Sequence, residues 1–389
     1  MNIRSAAMLR EAPLQELPKQ RNPDVVCLSH LRWNFVYQRP QHLLSRCAAR
    51  RRVFFFEEPI IEQGTPRLSV ECTEQGVCVV VPHLPPGRTT GEIEALQRSL
   101  LAKLFTAEAI EEFILWYYTP MALGFTNHLE PMVVVYDCMD ELSAFAHAPV
   151  SLREREQELF RRAHVVLTGG HSLYEAKRRF HRNIHPLPSS VDVAHFVRAR
   201  ENERSEPADQ AGIAHPRLGF FGVMDERLDV NLVSAVAEAR PDWHIVMLGP
   251  VVKIDLSVLP RKPNIHWLGM KKYDELPTYL AGWDVALLPF ARNEATRFIS
   301  PTKTPEYLAA GKPVVSTSIR DVVRPYGELG LVRIADSADD FIGAIAACLE
   351  EDSADREQRK ARADGLLARM SWDSTYDRIE NLLQSCISV

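Results

Sequence analysis

Short apolar runs without polar alternation recur along the chain. They are Asp24–Ser29, Arg52–Glu57, Ile114–Tyr118, Val133–Asp137 and Val165–Thr168 in the first half. Each has strand length and is rich in β-branched or aromatic residues, as strands covered on both faces are. Between them, Arg39–Arg50, Glu92–Leu104 and Ser151–Arg162 space their apolar residues as amphipathic helices do. Arg67–Val70 and Val77–Pro82, joined through Gly76, read as an inserted hairpin. The polar stretch Val197–His215 interrupts the pattern and reads as a linker. Alternation resumes with strands expected at Leu218–Gly222, His244–Gly249, Asn264–Leu268, Val285–Phe290, Pro313–Thr317 and Leu331–Ile334. Helices are expected at Asp229–Ala239, Asp274–Gly282, Thr302–Ala310, Asp339–Glu350 and, last, Trp372–Gln384. Strand–helix alternation in both halves predicts two α/β, doubly wound parallel-sheet domains facing across a cleft. Ligands of such sheets bind beyond the C-terminal strand ends, so the strand-to-helix loops should carry the chemistry.

The first such loop, Ser29–Pro40, lacks the G-x-G-x-x-G of dinucleotide sites. It offers His30, Asn34, Gln38 and Arg39 instead, with Arg32 and Trp33, a set suited to polar recognition with aromatic stacking. The second, Tyr136–Phe145, places Asp137 and Asp140 at a strand exit. A carboxylate there suits a general base toward a bound hydroxyl, and the other can serve the backbone as a helix cap. The third, Gly219–Asp229, has Gly222 for close backbone approach, a helix start for an anion, and Arg227 for a phosphate. The fourth, Glu294–Val315, sets Thr302 and Lys303 at the start of a helix that carries Glu306. A lysine there opposes the helix dipole, which favours a ligand role over a structural one. Thr302 and Lys303 suit a diphosphate, and Glu306 suits the hydroxyls of a ribose.

The chain has 389 residues and a net charge of −5, so no overall basic field points to nucleic acid. No apolar run approaches a membrane span, and Met1–Asn22 reads as an arm and not a signal peptide. The seven scattered cysteines, without C-x-x-C, predict neither a disulfide framework nor a zinc site, and suit a reducing cytoplasm. His181 and His185 lie in a basic stretch without a third ligand, and no D-x-D occurs, so no metal site is signalled. Arg46, Arg50, Arg51 and Arg52 cluster at a helix end, where they either complement the dipole or meet anionic lipid.

The run PTKTPEYLAAGKPVVST from Pro301 to Thr317 resembles the nucleotide-sugar site of GT-B glycosyltransferases, of the family 1/4-like group. The Gly222 loop, Asn264–Pro277 and Ser189–Asp192 extend the resemblance over nearly the whole chain. The retaining branch has a Glu-x7-Glu pair around this helix, but Phe298 stands eight before Glu306 and Glu294 twelve before. Tyr136, Asp140, Leu142 and Ser143 are similar to a motif of the inverting xanthan glucuronosyltransferase type, as are Met270-Lys271 and Lys303. That type carries an amide where Glu306 stands here.

The resemblance implies an arm at 1–22, an acceptor-binding Rossmann-like domain at 23–196 and a linker at 197–215. It further implies a nucleotide-sugar-binding Rossmann-like domain at 216–370 and a terminal helix at 371–389 crossing back to the first domain. The expected activity is metal-independent glycosyl transfer from a nucleoside-diphosphate sugar, UDP-linked by resemblance, to a saccharide or lipid-linked acceptor. Polysaccharide or glycoconjugate synthesis follows, with no cofactor beyond the donor substrate. Asp140 would be the base of an inverting reaction. Gly222, Arg227, Met270, Thr302, Lys303 and Glu306 would hold the donor, and His30, Asn34, Gln38, Arg39 and Asp137 would line the acceptor side. The setting expected is cytoplasmic, with peripheral contact at the inner membrane face through the arginine cluster. Retaining transfer, UDP-sugar epimerisation and non-catalytic nucleotide-sugar binding are the alternatives.

Overall fold

The computed structural model describes residues 22–146, 148–201 and 206–387. The expected arm therefore lies outside the described residues, apart from Asn22. In the first domain the strands are β1 (Asp24–Leu28), β2 (Val53–Phe56), β3 (Ile60–Ile61), β4 (Arg67–Cys72) and β5 (Val77–Leu84). They continue with β6 (Phe113–Tyr117), β7 (Val133–Cys138), β8 (Val165–Thr168) and β9 (Ile184–Pro186). Their order is β3-β5-β2-β1-β6-β7-β8-β9, all parallel along this path. The second domain orders β12 (Ile265–Gly269), β11 (His244–Leu248), β10 (Arg217–Phe221), β13 (Val285–Leu288), β14 (Val314–Ser316) and β15 (Val332–Ile334), again all parallel.

Central strands such as β1, β6 and β7 are buried at every position, because helices cover both sheet faces. In β7, Val134 and Tyr136 pack into one apolar layer while Val133 and Val135 pack into the opposite one. The hairpin expected at Arg67–Pro82 forms, but β5 is more than its second arm. It also pairs in parallel with β2, so it belongs to the main sheet, and only β4 is added antiparallel. Cys72 and Cys78 face one another across that hairpin and are joined by a disulfide, where the scattered cysteines had predicted no disulfide framework. The spacing gave no sign of this because antiparallel register, and not sequence proximity alone, makes them neighbours.

The terminal helix, Trp372–Ile387, packs on the first domain, with Trp372, Tyr376, Ile379 and Leu383 entering its core. Here the arginine cluster finds its partners. Arg46 pairs with Asp373, Arg50 with Asp377 and Arg51 with Glu380, while Arg52 pairs with Asp24. Each of these four side chains is engaged within the protein, three of them on the terminal helix. No helix among the described residues is long and apolar enough to cross a membrane.

Candidate functional site

The C-terminal ends of both sheets face one cleft, and three connected cavities occupy it. The first, about 340 Å³, lies mainly on the second domain and is lined by Gly222, Arg227, Met270, Thr302, Lys303 and Glu306. All six residues expected to hold the donor thus share one wall. From the first domain, Asn34, Tyr37 and Gln38 close it on the other side. A second cavity of about 440 Å³ lies toward the first domain, lined by His30, Gln38, Asp140, Asp225, Arg227 and Lys253 among others. A narrow crevice of about 90 Å³ joins them, and Gln38, Asp140, Arg227, Thr302 and Lys303 all reach it.

Glycine geometry makes the donor wall possible. Gly222 has φ +143°, and a Cβ there would collide with Cε of Lys303. Gly249, with φ +133°, lies against the Gly222 carbonyl, so the two loops stack backbone on backbone. Lys303 therefore lies directly over a bare peptide, and burial pushes its ammonium pKa down. Glu306 is buried too, and the cost of desolvating its carboxylate lifts its pKa to about 8 against the pull of Lys303. Among the described residues the lysine forms no ion pair within 4 Å.

Two details of the third loop differ from expectation. The helix Val230–Ala239 has its first turn capped by the Asp229 side chain, which accepts from Leu232 N–H at 2.9 Å. The cap thus brings a carboxylate to the helix start expected to receive an anion. Arg227 is held by Asp225 through Nε–Oδ1 at 2.9 Å and Nη2–Oδ2 at 2.7 Å. Asp225 is a site residue that the sequence reading missed; its spacing, Asp225-x-Arg227, was the available signal. Lys253 was missed as well, and its Nζ stands 5.6 Å from the centroid of Phe145, the ring that Arg227 also covers.

The two aspartates separate clearly. Asp137 is fully buried and bonds Arg39 Nε at 3.0 Å, while Arg39 also donates to the Leu187 carbonyl. Both were expected on the acceptor side, and this is corrected for Asp137: its carboxylate neutralises a buried arginine and reaches no cavity. Arg39 shows only an edge to the connecting crevice. Asp140 is partly buried, forms no hydrogen bond or ion pair through its carboxylate among the described residues, and lines both the crevice and the second cavity. Burial raises its pKa, opposed first by Arg227. His30, in the same cavity, is driven down to about 4 by burial and by Lys253, and is neutral near pH 7. Asn34 lies on the donor side of the cleft and not with the acceptor set. Glu294 stays outside all three, paired with Arg297 on the surface.

Residues 215–351 match the family model described as Glycosyl transferases group 1. The whole chain superposes on sucrose-phosphate synthase of Thermosynechococcus elongatus with a TM-score of 0.74 and 11% identity, covering 94% of this chain and 100% of that one. It superposes on Anabaena HepE in complex with UDP and glucose with a TM-score of 0.66 and 15% identity, over 93% and 99% of the two chains. The chain has the GT-B fold, and its second domain is similar to group 1 glycosyl transferases. In sequence it is 27% identical over 242 residues to TuaH of Bacillus subtilis, which is named for teichuronic acid biosynthesis as a glycosyltransferase. That match takes in 57% of this chain and 59% of the relative's length. At the structural neighbours' low identities, their likeness establishes the GT-B architecture alone.

Proposed function

We propose that this GT-B chain transfers a sugar from a nucleoside-diphosphate sugar, UDP-linked, to a hydroxyl of a saccharide or lipid-linked acceptor, with inversion. One observation carries the reading: an unpartnered carboxylate, Asp140, lies where the donor crevice opens into the acceptor cavity. Lys303 and Arg227 would stabilise the leaving diphosphate, as cations do where negative charge develops. Asp140, its pKa raised by burial, would take the acceptor proton as that hydroxyl attacks the anomeric carbon. Gln38 touches all three cavities and suits orientation of the transferring sugar. The cationic wall makes a bridging metal unnecessary, so turnover should survive EDTA.

Against retaining transfer stands the broken Glu-x7-Glu pair: Phe298 is eight before Glu306, and Glu294 pairs with Arg297 on the surface. The UDP-related names of HepE and TuaH's place in polysaccharide synthesis support the substrate class. NMR of the first-formed product tests the assignment: an anomeric configuration opposite to the donor's is expected, and retained configuration would overturn it. Complete loss of turnover in EDTA, restored by magnesium or manganese, would overturn the metal-free mechanism.

A further inference from the structure

The loop that presents Asp140 is a thin wall between two voids. Asp140, Leu142 and Phe145 line the acceptor cavity, while Glu141, Ser143 and Ala144 line a further cavity of about 540 Å³ behind it. No side chain from Leu142 to Ala144 is buried, so apolar packing gives this turn little anchorage. An ion network supplies it instead. Lys177 closes the helix His171–Lys177, and although its neighbours Arg178 and Arg179 are exposed, its own side chain is only 7% exposed. Its ammonium pairs with Glu141 Oε2 and with Glu156 Oε2, each at 2.7 Å.

Both carboxylates use their second oxygen on the same stretch of chain. Glu141 Oε1 accepts from the Ser143 hydroxyl at 2.8 Å, and Glu156 Oε1 accepts from the Tyr136 hydroxyl at 2.8 Å. Cys138 Sγ lies 3.7 Å from the Asp140 carbonyl oxygen and 3.9 Å from Glu156 Oε1. The network therefore grips the exit of β7 at Tyr136 and the loop at Glu141 and Ser143, with Asp140 between the two grips. Apolar side chains of similar volume often stabilise a fold as well as a buried ion pair does, or better. What one ammonium shared by two carboxylates supplies is a fixed geometry, because its donors set where Glu141 sits and so where the adjoining residue points.

We infer that Lys177, backed by Glu156, is a positioning residue for the transfer: by holding Glu141 it fixes the wall so that Asp140 faces the acceptor cavity at the mouth of the crevice. The inference rests on the reading of Asp140 as the base. It adds a residue that lines none of the three cleft cavities and acts through the loop alone.

The test is Glu141→Ala in the full chain, which cuts the tie to the loop and leaves Lys177 paired with Glu156. Its kcat should fall by about 10–100-fold, the scale of a roughly 1 Å misplacement of a catalytic group, with donor and acceptor KM and the thermal midpoint near those of wild type. Glu141→Gln should recover most of the rate, since its amide still accepts from Lys177 and donates to Ser143. Lys177→Met should lower kcat in the same way and also the thermal midpoint, because it leaves two carboxylates facing one another. In the Asp140→Asn background, adding Glu141→Ala should change the residual rate by less than about twofold, because the group being positioned is already gone. A wild-type kcat in Glu141→Ala, an effect on KM alone, or a further 10–100-fold loss in the Asp140→Asn background would each overturn the inference. Should Asp140→Asn itself be fully active, the base assignment fails first and takes the inference with it.

Discussion

The face that holds the terminal helix and the floor of the cleft treat their cations in opposite ways. At the helix, Arg46, Arg50 and Arg51 each meet a carboxylate, and the most buried, Arg51, meets the equally hidden Glu380. In the cleft, Lys303 is half-buried and Asp140 lines the same crevice, and among the described residues neither side chain has an ion-pair partner. Desolvating a charge is costly wherever it happens. At the helix the protein offsets that cost itself; in the cleft the proposed function leaves it to be offset by the substrate. The same contrast runs along a few residues of one loop, where Asp137 is locked to Arg39 and Asp140 is not. Arg227 is the exception, paired with Asp225 and still lining the cleft.

Variants at each place sharpen this contrast. Asp140→Asn should cut kcat by about 10²–10⁴-fold with near-normal nucleotide affinity, the usual effect of losing a general base. Asp137→Asn should instead lower the thermal midpoint, and a dead but stable Asp137→Asn beside an active Asp140→Asn would reverse the roles. Arg51→Ala should cost about 3–5 kcal/mol in denaturant unfolding, because it strands Glu380 in the interface. Replacing both Arg51 and Glu380 by Met should recover much of that loss. The pH profile follows from Asp140. Its pKa is raised by burial and its unprotonated form is the base, so kcat should rise with pH through a value above the ordinary aspartate range near about 4. Asp140→Asn should lack that limb. The smallest effect belongs to Arg46→Ala, whose partner Asp373 is 77% exposed: at most about 1 kcal/mol, diminishing with salt.

Much of this arrangement was legible from residue order. Alternating buried strands and amphipathic helices announce two parallel sheets, since local periodicity and burial coincide in β1, β6 and β7. The donor wall was readable because Gly222, Thr302, Lys303 and Glu306 are strand-end residues whose types conflict with a purely structural role. Long-range pairing was harder to see. Arg39 and Asp137 are 98 residues apart, and Arg51 and Glu380 are 329 apart. Nothing local distinguishes an arginine that will clamp a helix from one that will meet lipid. The Cys72–Cys78 disulfide needed the strand register of β4 and β5.

The central claim is that the charge left unpaired over Gly222 is held for a nucleoside diphosphate, and UDP titration of Lys303→Met addresses it most directly. Methionine keeps most of the volume and removes the ammonium. The expected result is a loss of affinity of roughly 10–100-fold, the scale of a charge-assisted hydrogen bond, with a thermal midpoint equal to or above that of wild type. Undiminished UDP binding by Lys303→Met, or a sharp drop in its stability without nucleotide, would mean that the lysine serves the fold and that the donor lies elsewhere.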